Sequence, residues 1–264
     1  MKNILVPTGS TENAVSNLQY AIEFASLYGA TVYVINLYEE LSKAGGLSKV
    51  NRLILEEHQS ELDILLAKVD FKGVKVIAKP VKGEAFESIS RISKQLDIDL
   101  LILSPKSVSL RDEVYLGRVT GRLIKQTEIP VLIVPQDYAF KKAKTILMAF
   151  KNGRFEKKNM LRPLKLFLEV LNSKLNLLHV IVPHNEDCEN PINAKLTALS
   201  SKLTTTHNAT TFQGVLEHFQ SNKPDMLCVA RRKRGFFNKL WEKNIILKKE
   251  FHCSIPLLIL RGND

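Results

Sequence analysis

The chain repeats itself, and no other feature limits its fold so sharply. The run Asp99-Leu100-Leu101-Ile102-Leu103 is answered by Asp225-Met226-Leu227-Cys228-Val229, and Ile129-Pro130-Val131-Leu132-Ile133 is answered by Ile255-Pro256-Leu257-Leu258-Ile259. Both pairs lie 126 residues apart. Two unrelated matches sharing one offset mark a duplication rather than a coincidence of apolar strings. Earlier segments agree, since Lys144–Ala149 resembles Lys2–Pro7 and Leu177–Val180 resembles Val34–Leu37. A length of 264 residues also suits two domains of roughly 130 residues each. The boundary falls near Gln136 to Ala143, giving domains 1–138 and 143–264.

Within each copy, short apolar runs alternate with helical patterns. Lys2–Pro7 reads as a strand, Thr8-Gly9-Ser10-Thr11 as a turn, and Ala14, Leu18, Ala21, Ile22, Ala25 and Tyr28 recur at the spacing of a helix that Gly29 ends. Strands are predicted over Thr31–Leu37, Val74–Pro80, Asp99–Ser104 and Pro130–Val134, with helices over Ser48–Val69, Ala85–Leu96 and Val114–Gln126. Several runs are apolar without alternation, as strands covered on both faces must be, which implies a parallel sheet with helices on each side. In the second copy the polar stretch Lys202–Thr211 predicts only a short third strand, and the helix around Ile192–Leu203 is shorter than its counterpart.

Composition narrows the function classes. With 45% hydrophobic and 25% charged residues, every part can bury a core and none reads as disordered. The apolar runs last one strand, far short of the ~20 residues of a membrane helix. Met1–Pro7 reads as a first strand rather than a secretory leader, so a cytoplasmic location is expected. The three cysteines, Cys188, Cys228 and Cys253, suggest neither a disulfide framework nor a zinc site, and Cys228 reads as a buried thiol. The six histidines have no metal-binding spacing, and no nucleophile elbow, paired-carboxylate motif or Walker loop is present, so no catalytic residue and no metal are expected.

The opening Ile4-Leu5-Val6-Pro7-Thr8 before a helix, the Asp-Leu-Leu-Ile strand at Asp99–Ile102 and the closing Ile129–Val134 strand resemble the universal stress protein family in its tandem form. The resemblance covers nearly the whole chain. It implies two tandem open five-stranded parallel α/β sheets of order 3-2-1-4-5 with helices on both faces, of the adenine-nucleotide alpha-hydrolase-like type. Ligands of such sheets sit beyond the carboxyl ends of the strands, where strand order reverses. Nucleotide-binding members carry Gly-x2-Gly-x9-Gly-(Ser/Thr) after the fourth strand, where glycines let backbone N–H groups approach phosphate.

On that pattern the first copy places Ser104, Ser107 and Gly117 at the glycine positions and Arg118 at the hydroxyl position. The second copy places Ala230, Lys233 and Lys243 there, with Asn244 last. The family's acidic residue after the first strand falls on Gly9, and the second copy reads Ala149-Phe150-Lys151. The resemblance therefore implies a stress-response scaffold or sensor, not an enzyme, with nucleotide binding lost or weak and no cofactor. The alternative is an ATP- or AMP-binding regulator whose nucleotide would meet Pro7, Thr8, Leu37, Ser104, Ser107, Gly117, Arg118 and Val119. His179 matches a position commonly His in the family, which implies a structural or pocket-lining role.

Charge is uneven. Through Asp137 the chain carries 16 basic and 17 acidic residues, and the remainder carries 22 and 10. The densest basic stretch, Arg231, Arg232, Lys233 and Arg234 with Lys243 and Asn244 beyond, is interleaved with Phe236, Phe237 and Trp241. It is a candidate anion site, and a third reading makes the protein a polyanion binder through this loop. The less specific reading is a solvated loop whose aromatics pack on the neighbouring domain. The resemblance further implies that the two fifth strands, Val131–Val134 and Leu257–Leu260, pair within the chain about a pseudo-two-fold axis. A homodimer is left open, and the protein partners are not named by the residues.

Overall fold

Ile4, Leu5 and Val6 follow one another in a strand, so their side chains alternate between its two faces, and all three are fully buried. Leu100–Leu103 are buried in the same unbroken way. Strands covered on both faces are what the apolar runs require. The computed structural model describes residues 1–9, 13–40, 48–104, 122–124, 126–153, 155, 159–182, 191–230 and 255–261. Two compact units emerge. Described residues up to 104, with 122–129 and 136–140, form the first, and 130–135 with described residues from 141 onward form the second.

The first unit runs β1 (Asn3–Thr8), α1 (Ala14–Ser26), β2 (Thr31–Tyr38), α2 (Ser48–Leu66), β3 (Val76–Lys82), α3 (Ala85–Gln95) and β4 (Leu100–Leu103). Its strands are parallel in the order β3-β2-β1-β4. Gly29 takes φ +60 just after α1, a left-handed stop that a side chain would oppose. Tyr138 and Phe140 from the boundary segment belong to this unit. Their rings lie 6.2 and 5.3 Å from Tyr20 of α1, whose hydroxyl is pushed above its ordinary range by burial and by the neighbouring Tyr138.

The second unit contains β5 (Val131–Ile133), β6 (Thr145–Phe150), α4 (Arg162–Leu171), β7 (Lys174–Ile181), α5 (Ala194–Thr197), β8 (Lys202–His207), α6 (Thr211–Asn222), β9 (Met226–Ala230) and β10 (Leu257–Leu260). The parallel order β8-β7-β6-β9-β10 is 3-2-1-4-5 in repeat numbering. Next to β10 lies β5, antiparallel to it, with Leu257 opposite Ile133, Leu258 opposite Leu132 and Ile259 opposite Val131. The compact units thus depart from the repeat boundary at one strand, because 130–135 go with the second unit. The third strand of the second copy is a full six residues rather than short. Its backbone follows β7 from Lys202 to His207, and three threonines suit the pleated conformation. The preceding helix is four residues long.

One carboxylate repeats with the fold. Asp99 Oδ2 accepts the backbone N–H groups of Lys2 at 2.5 Å and Asn3 at 3.2 Å. Asp225 Oδ2 accepts those of Lys144 at 2.9 Å and Thr145 at 3.1 Å. Each aspartate ties the start of the fourth strand of its copy to the start of the first. This gives the residue a structural task that its recurrence in the sequence does not by itself disclose.

Candidate ligand site

The carboxyl ends of β1, β2 and β4 are where an open parallel sheet of this order receives ligands. Thr8 ends β1 opposite Asn36 of β2, and its hydroxyl donates to the Ile35 carbonyl at 3.3 Å. Ile4 and Leu5 pair with Leu100 and Leu101, and continuing that register brings Ser104 level with Thr8. Pro7, Thr8, Leu37 and Ser104 are all half-buried here. Gly9 follows, and a Cβ built on it meets nothing within 4 Å. Ser107, Gly117, Arg118 and Val119 lie outside the described residues, as do Arg231, Arg232, Lys233, Arg234, Lys243 and Asn244 of the basic stretch.

Beside this surface the structure gathers a polar group that no motif announced. The Asn36 amide, 4% exposed, donates to Glu61 Oε2 at 2.7 Å. His58 Nδ1 stands 3.5 Å from the same carboxylate oxygen, and its ring stacks on Tyr38 with centroids 5.5 Å apart. The signal in the sequence was slight: one asparagine in an otherwise apolar strand, and a histidine and a glutamate three apart on one helix face.

The second unit answers the same positions with aromatic rings. Phe150 ends β6 opposite His179 of β7, as Thr8 ends β1 opposite Asn36. The Phe150 and His179 rings are stacked at 5.3 Å and 17°, and Phe155 meets Phe150 edge-on at 6.2 Å. All three residues are buried. His179 Nε2 is 3.2 Å from the Lys151 carbonyl. Burial holds its pKa below the ordinary imidazole value, with a smaller push the same way from His207, while the Lys151 contact opposes both. Gly153 closes the space further. A Cβ there would stand 2.7 Å from Ile192 Cα, and Asn193 donates its backbone N–H to the Gly153 carbonyl and its side-chain amide to that of Phe155.

Ala230, the counterpart of Ser104, ends β9 without a hydroxyl. Cys228 beneath it is fully buried, and burial pushes its thiol far above the ordinary range. Among the described residues no three His, Cys, Asp or Glu side chains are placed to hold a metal ion, and no helix is long and apolar enough to cross a membrane.

With this geometry in view, comparison with known proteins decides the family. The model of the universal stress protein family matches residues 1–135, just over half the chain. The chain belongs to the universal stress protein family. Its relatives include Universal stress protein MJ0531 of Methanocaldococcus jannaschii, 25% identical over 138 residues, covering 50% of this chain and 81% of the relative. Universal stress protein MJ0577 of the same organism is 26% identical over 152 residues, covering 50% of this chain and 94% of the relative. Both halves enter the match to a crystal structure of a universal stress protein from Archaeoglobus fulgidus, which has a TM-score of 0.71 at 15% identity and covers 99% of this chain and 97% of that one. At that identity the likeness is one of fold, and it extends the universal stress protein architecture over both copies in tandem.

Proposed function

We propose that this tandem universal stress protein is a cytoplasmic, non-enzymatic stress-response scaffold or sensor in which nucleotide binding is lost or weak. The observation that carries this reading is the packed strand end of the second unit. Phe150, Phe155 and His179 fill the positions where a ligand would enter, and Ile192 presses on Gly153. A site occupied by the chain's own side chains admits no nucleotide without unpacking them. In the first unit the phosphate-binding pattern keeps one glycine, Gly117, with serines at Ser104 and Ser107.

A ligand that binds only the folded state raises apparent stability in proportion to the logarithm of its concentration over Kd. The full chain is therefore expected to show no change in melting temperature with millimolar ATP, ADP or AMP. A clear rise abolished by Gly117→Asp would replace this reading with an ATP- or AMP-binding regulator acting through the first unit. One feature favours that second reading. The first unit keeps Thr8 and Ser104 where the second has Phe150 and Ala230, so its strand ends still carry polar groups.

A further inference from the structure

An outermost strand turns alternate N–H and C=O groups away from its only neighbour and so offers a template for another strand. The two units treat this hazard differently. In the first, Lys75 and Gly83 bond to β2, Lys75 through its carbonyl to the Val32 N–H and Gly83 through its N–H to the Tyr38 carbonyl. With the register of β3 on β2, residues 76, 78, 80 and 82 therefore face outward. Pro80 stands among them and has no N–H to offer, and Lys79 and Lys82 flank it. A proline and lysines on an outer strand discourage pairing.

The outer strand of the second unit, β8, has neither device at its outward positions. Asn208 donates its backbone N–H to the Ile181 carbonyl at 3.1 Å, and β8 runs on β7 in unbroken register from Asn176 opposite Lys202 to Ile181 opposite His207. Lys202, Thr204 and Thr206 therefore turn their backbone toward β7, and Leu203, Thr205 and His207 turn theirs outward. All three outward residues are exposed, Leu203 by 44%. Among the described residues β8 pairs with β7 alone.

We propose that this edge is a homodimer contact in which β8 pairs antiparallel with β8 of a second copy, about a two-fold axis through Thr205. The strand is complementary to itself in that register. Thr205 faces its own counterpart, Thr204 faces the partner subunit's Thr206, and Leu203 faces the partner subunit's His207. Lys202, the strand's only lysine, faces the partner subunit's Asn208, so no like charges oppose each other. Threonine pairs across antiparallel strands are favourable, and a two-fold contact uses the same patch on both copies. The three outward residues keep every N–H and C=O the new ladder needs.

The test uses the full chain. Sedimentation velocity across the micromolar range is expected to show a dimer, and Thr205→Lys, which sets two ammonium groups face to face, is expected to yield a monomer with an unchanged circular dichroism spectrum. Thr205→Pro, which deletes the central outward N–H, is expected to do the same. Opposed residues of a hydrogen-bonded antiparallel pair have Cα atoms about 5.5 Å apart, within disulfide reach. Thr205→Cys is therefore expected to form a covalent dimer under mild oxidation that the parent chain does not form. A monomeric parent chain, a dimer that survives Thr205→Lys, or a Thr205→Cys chain that fails to cross-link overturns the proposal.

Discussion

The two strand ends of this molecule began as copies and now do different work. In the first unit the end of the opening strand is held by Thr8, whose hydroxyl donates to the Ile35 carbonyl, with Asn36 beside it in a polar network. In the second, the same pair of positions is Phe150 and His179, stacked and buried. A polar strand end keeps the option of meeting a ligand. An aromatic one has turned the same space into core. The comparison shows how duplicated positions diverge, one copy packing aromatic rings where the other keeps polar groups.

The largest expected effect comes from undoing that packing. Truncating a buried aromatic side chain typically costs ~3–5 kcal/mol, so Phe150→Ala is expected to destabilise the second unit by that much in denaturant unfolding. Thr8→Ala removes one hydrogen bond, worth ~0.5–1.5 kcal/mol. Equal costs for the two substitutions would break the comparison.

Two aspartates test whether the units share one frame beneath their different strand ends. Asp99→Ala and Asp225→Ala each leave two backbone N–H groups without their carboxylate partner, a loss of ~1–3 kcal/mol. Matched costs are expected, and a cost confined to one copy would show that the frame has diverged as well. The glycines sharpen the contrast on the same scale. Gly153→Ala forces a Cβ against the Ile192 backbone, an overpacking that costs ~1–3 kcal/mol. Gly9→Ala, facing open space, is expected to change stability by less than ~0.5 kcal/mol. Gly9→Asp fits the same space and restores the family's acidic residue. An ATP-dependent rise in melting temperature that appears in Gly9→Asp but not in the parent would locate the loss of binding at this one position.

The smallest effect is a pH dependence of the second unit. His179 has a folded-state pKa below its ordinary value, so the unfolded chain binds its proton more readily than the native one. Stability from the neutral ring is full above the ordinary imidazole range and declines as pH falls below it. A melting temperature followed from about pH 7.5 down to about pH 5 should therefore fall, and His179→Gln should flatten that part of the slope. The first unit has Asn36 at this position, a side chain that does not itself ionise. An unchanged slope in His179→Gln would remove the ring from the account.

Much of the fold was legible because buried parallel strands cannot be written in many ways. Leu100–Leu103 and its counterpart Met226–Val229 are apolar at every position, and that run survives duplication even where the rest of the sequence has drifted. The third strand of the second copy was harder to read. Lys202–His207 is exposed along one side and rich in threonine, and a polar edge strand carries little of the apolar signal that marks a central one. The strand-end site was legible only in part. Phe150 in the place of Thr8 was visible in the alignment of the copies, but its stacking on His179 was not. The hydrogen bond of Asn36 to Glu61 and the stacking of His58 on Tyr38 each join residues some twenty or more positions apart.

The chain's own sequence determined that there are two copies, that strands alternate with helices, and that both faces of the central strands are covered. These follow from local periodicity and from the requirement that apolar side chains leave water. Only the tertiary structure decided which unit Val131–Ile133 joins. The resemblance implies its pairing with Leu257–Leu260, but a strand of three residues has too few side chains to say which core it belongs to, and its backbone N–H and C=O groups are satisfied at the β10 edge. The last strand of the first repeat therefore lies in the second unit.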